Sequence, residues 1–186
     1  GKTLGELKKY IKPGVSTLEL DQIAETFIRD HGGVPAFKDY NAAFADYPFP
    51  GSLCTSVNEQ VVHAIPSDKV ILKDGDLISI DCGVLMNDYF GDSAYTFAVG
   101  ELSSKKLRLM QVTKEALYKG IEQVKAGNRV GDISYAVQKH AERYGFSVVR
   151  EMVGHGLGKS LHEAPEVPNH GKRRSGAKLV NGMVIA

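Results

Sequence analysis

Residues 77–97 alternate in a way that only a β-hairpin accommodates. The run Leu77-Ile78-Ser79-Ile80-Asp81-Cys82-Gly83-Val84-Leu85 leads into a turn around Met86-Asn87-Asp88, and Tyr89-Phe90-Gly91-Asp92-Ser93-Ala94-Tyr95-Thr96-Phe97 returns from it. Side chains alternate with period two along each strand, so Asp81 and Asp92 share one face of the sheet. With Met86-Asn87 as the loop, Asp81 lies directly opposite Asp92. With Asn87-Asp88 as the loop, Asp81 faces Ala94 and Asp92 is its diagonal neighbour. Like charges meeting across strands destabilise a sheet unless something neutralises them. A shared proton would do so, and so would a metal cation.

A chain of 186 residues can build one substantial core or two fused small lobes. Its net charge of +1 sets up no whole-chain field that would attract DNA or an anionic membrane. Lys172-Arg173-Arg174 reads as a solvated loop. No apolar stretch reaches membrane-spanning length, and no signal peptide opens the chain. Cys54 and Cys82 are widely spaced and lack a CxxC pattern, so reduced thiols and a cytoplasmic location are expected. The chain opens at Gly1 inside an apparent helix (Leu4, Leu7, Ile11) and closes in the apolar run Met183-Val184-Ile185-Ala186. Neither end reads as a natural terminus.

The first helix closes at Pro13-Gly14. A second opens at Ser16 with Glu19 in capping-box spacing, carries Leu20, Ile23, Ala24, Phe27 and Ile28 on one face, and ends at Gly32-Gly33. Residues 34–52 form a loop containing Tyr40, Phe44, Tyr47, Pro48, Phe49 and Pro50. Strands are expected near 53–57, 60–65, 76–85 and 89–98, helices near 103–126 and 132–144, and a strand near 146–153. A glycine-rich segment and a loop to 181 follow. At an offset of 113 the chain repeats itself: Lys12-Pro13-Gly14 matches Lys125-Ala126-Gly127, Leu20 matches Ile133, Ala24 matches Val137, and Gly32 matches Gly145. A shifted offset aligns Gly75-Asp76-Leu77-Ile78-Ser79 with Gly182-Met183-Val184-Ile185-Ala186. A helix pair followed by strands, twice over, describes a pseudo-symmetric α+β architecture in one domain, with halves at about 1–100 and 101–186. On this reading the second half lacks its own hairpin.

Among six histidines, His31 ends a helix, His140 lies within one and His170 sits in a polar loop, all structural placements. His155 differs. It lies in Val153-Gly154-His155-Gly156-Leu157-Gly158, where flanking glycines let the backbone hold an imidazole at a cleft. His162 follows in Leu161-His162-Glu163-Ala164-Pro165, and His63 lies in Val61-Val62-His63-Ala64-Ile65-Pro66, just ahead of the acidic hairpin. Carboxylates plus one imidazole suit Mn, Fe, Co or Zn at a dinuclear hydrolytic site. A proton-sharing dyad is the alternative, but it leaves His155 and His162 without a role.

At these residues the chain resembles the bacterial type I methionine aminopeptidases, which have the pita-bread fold. The matching stretches are Cys54-Thr55-Ser56-Val57-Asn58-Glu59, Val62-His63-Ala64-Ile65-Pro66, Ser79-Ile80-Asp81-Cys82-Gly83, Gly91-Asp92-Ser93-Ala94 and residues 154–165. They run colinearly over nearly the whole chain. Prolidase and aminopeptidase P enzymes share the fold and its ligands, but the Asn-Glu and His-Ala-Ile-Pro stretches favour the methionine enzymes. The resemblance implies two pseudo-symmetric helix-pair-plus-strand halves around a central antiparallel sheet, the second half incomplete. It implies Asp81, bridging Asp92 and His155 as ligands of two divalent metals, with His63 and His162 as catalytic residues contacting substrate. Cys54, Phe49 and Leu161, with Tyr40 or Tyr47, become candidates for the pocket that takes the Met side chain.

The implied function is removal of the initiator Met from nascent chains with a small second residue, by a cytoplasmic monomer working near the ribosome. An inactive pita-bread homologue that binds a partner is the alternative. Two departures stand out. Ala64 replaces the glycine usual in the family, and the family's two remaining ligands, both Glu, fall beyond Ala186. Three visible ligands predict weak metal binding and little activity if residues 1–186 are the whole molecule.

Overall fold

The computed structural model describes residues 1–41 and 46–186; Phe44 of the aromatic loop lies outside the described residues. It comprises two compact units, Gly1–Ser103 and Ser104–Ala186.

The first unit contains α1 (Lys2–Leu7), α2 (Thr17–Asp30), β1 (Val34–Pro35), β2 (Cys54–Val57), β3 (Leu77–Met86) and β4 (Tyr89–Ala98). The capping box forms at the start of α2. The Ser16 hydroxyl accepts the Glu19 N–H at 3.1 Å, and the Glu19 carboxylate accepts the Ser16 N–H at 2.7 Å. These bonds satisfy N–H groups that no helical turn can reach. Leu20, Ala24 and Ile28 are buried with Leu4 and Leu7 of α1 against Ile78, Ile80, Cys82 and Phe97. Phe27, expected on the same face, is only half-buried and packs its ring 4.1 Å from that of His31.

Strand β3 is the spine of a four-stranded antiparallel sheet. β4 pairs along one side of it, and β1 and β2 pair with successive stretches of the other. Pairing of Met86 with Tyr89 makes Asn87-Asp88 the loop, and both residues have positive φ (52° and 65°), as a type I′ turn requires. Asp81 therefore faces Ala94, and Asp92 faces Gly83. Alternation sends Ile78, Ile80 and Cys82 into the core and Ser79, Asp81 and Gly83 to the opposite face. Phe37 covers Gly83 on that face so closely that a Cβ there would lie 2.5 Å from its ring.

The second unit contains α3 (Ser104–Ile121), α4 (Val130–Arg143), β5 (Val153–Gly156) and β6 (Glu163–Pro168). β5 pairs antiparallel with β6 on one side and with the 185–186 segment on the other. Val130, Ile133 and Leu179 form its core, with Val137, Val167, Met183 and Ile185 packed alongside.

The internal repeat appears in the backbone hydrogen bonds of each unit. Gly14 N–H donates to Leu72 and Gly127 N–H to Leu179, both carbonyls following a loop. Thr17 to Val70 corresponds to Val130 to Ala177, and Leu72 to Val15 corresponds to Leu179 to Asn128. Gly14 and Gly127 have φ of 93° and 96°, and Gly75 and Gly182 have φ of 85° and 84°. These left-handed turns need glycine in both copies. Ser56 pairs with Ser79 in the first unit, and His155 exchanges both backbone bonds with Ala186 in the second. His155 thus holds the position equivalent to Ser56, whose sheet face is the one that carries Asp81.

The expected elements differ in several places: α1 ends at Leu7, short of Pro13-Gly14, α3 ends at Ile121 and not near 126, and Val34–Pro35, within the expected loop, pairs with β3 as β1. Residues 60–65 are a loop, not a strand: β2 ends at Val57, and the Ala64 N–H is taken by the Ser56 hydroxyl at 3.3 Å, which breaks any ladder. Residues 146–152 are irregular, and the strand begins only at Val153. Residues 163–168, expected as loop, form β6, because Pro165 and Pro168 are tolerated on an edge strand whose donors need no partner.

Candidate active site

In the first unit the acidic face gathers Asp81, Asp92 and Cys54. Cys54 lies directly across from Asp81 on β2, and Asp92 is its diagonal neighbour on β4. One oxygen of Asp81, Oδ1, is buried with no hydrogen-bond partner. A buried carboxylate oxygen left in that state is costly. Burial, then the neighbouring Asp92 charge, push the Asp81 carboxyl up to about 7, against the opposing pull of the Cys82 N–H and His63. Burial raises Asp92 as well, while its hydrogen bond with Asp81 opposes the rise. Without a cation the pair retains a proton between its two groups.

Stability follows from that. The unfolded Asp81 ionises near 3.8 and the folded one near 7, so between those values the folded state binds more protons. The metal-free protein should lose stability as pH rises from about 4 to about 7, by a few kcal/mol at most, and hold level above that. Melting curves with chelator across this range check it; a saturating divalent cation should abolish the decline.

Burial, then Asp81 and Asp92, drive the Cys54 thiol far above its ordinary range, which leaves a neutral thiol and not a nucleophile. Cys82, on the core face, is pushed up to about 11 by burial. Both cysteines are free and buried. His63 stands exposed on the 58–66 loop at a φ of 59°. Phe49 is half-buried, and its backbone bonds to Asp39 and Tyr40 (2.8 and 2.9 Å) close the aromatic loop; Tyr47 points to solvent at 61 % exposure.

In the second unit β5 carries His155 half-buried. Its Nδ1 lies 2.8 Å from the Gly156 carbonyl oxygen, which can only accept. Nδ1 therefore carries a proton, the arrangement by which a backbone carbonyl orients a metal-ligating histidine. The His162 ring lies 4.4 Å from that of His155, centroid to centroid, and is tilted by 56°. Leu161 beside it is buried. Glu163 holds the intervening turn by accepting the Ser160 N–H at 2.8 Å. His140, as expected, serves structure, bonding Glu115 at 2.9 Å.

Two residues near the site escaped the sequence reading. Phe37 over Gly83 left no local signal. Asp21 did leave one, an acidic residue inside the buried stripe of α2 between Leu20 and Ala24.

Among the described residues, no group of three or more His, Cys, Asp or Glu gathers into a metal cluster. The chemistry of the donors nevertheless fits a divalent cation. Two buried carboxylates share one sheet face, the Asp81 Oδ1 oxygen has no hydrogen-bond partner, and the His155 Nδ1 is tied to a backbone carbonyl.

The chain is similar to known proteins over its full length. It is 54 % identical over 181 residues to methionine aminopeptidase 1 of Bacillus subtilis, covering 97 % of this chain and 70 % of that protein. It is 50 % identical over 186 residues to a methionine aminopeptidase of Clostridium acetobutylicum, covering 100 % of this chain and 72 % of the relative. The crystal structure of methionine aminopeptidase from Rickettsia prowazekii superposes with a TM-score of 0.92 at 41 % identity, over 98 % of this chain and 71 % of that one. The fold is the pita-bread fold of these enzymes. Residues 1–186 match the model of metallopeptidase family M24 throughout, and the chain belongs to that family.

Proposed function

We propose that this protein is a methionyl aminopeptidase, a metal-dependent hydrolase that removes the initiator Met from nascent proteins with a small second residue. The observation that carries the reading is identity of half or more, along essentially the whole chain, with proteins named methionine aminopeptidase. The inactive-homologue reading has no support, because the relatives matched along the chain are named methionine aminopeptidases.

Asp81, Asp92 and His155 would hold two divalent cations, drawn from Co, Mn, Fe or Zn, in a single catalytic domain. When bound, such cations supply Lewis acidity and acidify a water molecule. His162 donates a hydrogen bond to the oxygen on which charge develops at the scissile carbonyl. His63 steadies the amide on the leaving side. Cys54, Phe49 and Leu161, with Tyr40 or Tyr47, wall the pocket for the Met side chain. That neutral lining suits a thioether, and the buried thiol of Cys54 offers soft, polarisable contact.

We place the protein in the cytoplasm as a monomer acting on chains near the ribosome. Among the described residues no helix is long and apolar enough to cross a membrane.

A peptide panel tests the activity. The metal-loaded natural polypeptide carrying residues 1–186 should release Met from Met-Ala-Ser and Met-Gly-Met at least about a hundredfold faster than from Met-Leu-Ser, a bulk penalty at the second residue. Equal rates, or no release, would overturn the reading.

A further inference from the structure

Helix α2 grips both feet of the segment that carries Cys54 and His63. At one foot, the Asp21 Oδ1 accepts the N–H groups of Ser52 and Leu53 at 2.8 and 2.7 Å. At the other, the Thr17 hydroxyl accepts the Ser67 N–H at 2.9 Å and donates to the Ser67 carbonyl at 3.1 Å. Asp21 is 5 % exposed. A carboxylate is a costly group to bury one helical turn inside an apolar stripe, so its presence there calls for a reason beyond packing. Burial pushes the Asp21 carboxyl up, and the two N–H groups oppose that.

What those bonds hold is the approach to the acidic face. Ser52 and Leu53 lead directly into Cys54, opposite Asp81. Gly51, just ahead of them, fits so tightly against Pro66 that a Cβ would sit 2.8 Å from the proline ring. Further on, Thr55 donates to the Ala64 carbonyl at 2.9 Å, and the Ser56 hydroxyl takes the Ala64 N–H. His63, the next residue back, has a left-handed backbone (φ 59°), uncommon for any residue with a side chain. Displacing residues 52–53 would therefore shift Cys54 along β2 and release the Ala64 and Pro66 contacts that hold His63.

We propose that Asp21 is a positioning residue for the peptidase reaction, setting Cys54 and His63 through its two backbone bonds to Ser52 and Leu53. It touches no substrate. The kinetic part of this inference rests on the aminopeptidase reading; the structural part does not.

The test compares Asp21→Asn, which keeps an acceptor oxygen without the charge, with Asp21→Ala, which removes both. Three quantities are measured below each variant's melting transition: amide hydrogen exchange at Ser52 and Leu53, iodoacetamide alkylation of Cys54, and KM and kcat for Met-Ala-Ser with the metal-loaded protein. A charge-assisted bond weakened to a neutral one predicts about tenfold faster exchange in Asp21→Asn, faster Cys54 alkylation, and KM raised about threefold. Asp21→Ala should exchange about a hundredfold faster and raise KM about tenfold while lowering kcat. A purely structural role would lower the melting temperature and leave KM unchanged in the folded fraction, and that result overturns the proposal. If Asp21→Ala does not fold, Asp21→Asn decides alone. If the parent protein releases no Met, the functional reading fails, and exchange with alkylation still decides the positioning role: protected amides and unchanged alkylation in Asp21→Asn would overturn it.

Discussion

Replacing Asp81 with Asn should abolish metal-dependent Met release while making the metal-free protein more stable at pH 8. The two effects come from one cause. Asp81 carries a buried oxygen without a partner, and its neighbour Asp92 repels it across the sheet. Asn removes that repulsion at nearly constant volume, so the apo form should melt higher above pH 7, where the parent suffers the full charging penalty. Below about pH 4 the parent carboxyl is already neutral and the advantage should vanish. The same change removes the anionic donor that a cation needs. Loss of several kcal/mol of transition-state stabilisation corresponds to about a thousandfold or more in rate. A structural explanation for lost activity predicts the opposite sign of stability change, which separates the two.

His155→Ala should lower kcat/KM by about a hundredfold or more, with loss of metal affinity as the origin. The Nδ1 bond to the Gly156 carbonyl is part of the reason. It ties Nδ1 to the backbone, and the proposed reading gives Nε2 to the metal, so neither Ala nor a side-chain amide would reproduce the geometry. Raising the metal concentration should restore part of the activity of His155→Ala but none of that of His162→Ala. His162 lies beside His155 in a tilted arrangement and is assigned to the substrate oxygen, not to the metal. Metal-titrated rates for both variants check this; equal rescue of both would reverse the two assignments.

Much of this was legible in the chain because the hairpin and its acidic face are local. Period-two alternation placed Asp81 and Asp92 on one face whichever loop was used. The register between the two choices hung on the turn: Met86 is a poor residue for positive φ, whereas Asn87 and Asp88 accept it. The repeat was legible from matching glycines because a left-handed turn leaves little choice of residue. Other features were set by tertiary contacts. Val61 and Val62 carry strand propensity, yet they stand exposed and pair in no ladder among the described residues, and although the Ala64 carbonyl takes the Thr55 N–H, its own N–H goes to the Ser56 hydroxyl. Pro165 and Pro168 hid β6, since prolines signal turns unless the strand lies at an edge. The Asp21 clamp spans 31 residues to Ser52, a pairing that no periodicity announces.

The most direct test is to strip the natural polypeptide carrying residues 1–186 of metal, then follow Met release from Met-Ala-Ser during titration with Mn or Co, with Asp81→Asn in parallel. The expected result is negligible release from the stripped protein, restoration as metal binds at a fixed stoichiometry, and no restoration in Asp81→Asn. Release that persists in chelator, or that survives Asp81→Asn, would contradict the assignment of the Asp81–Asp92 face as the seat of a metal-dependent peptidase.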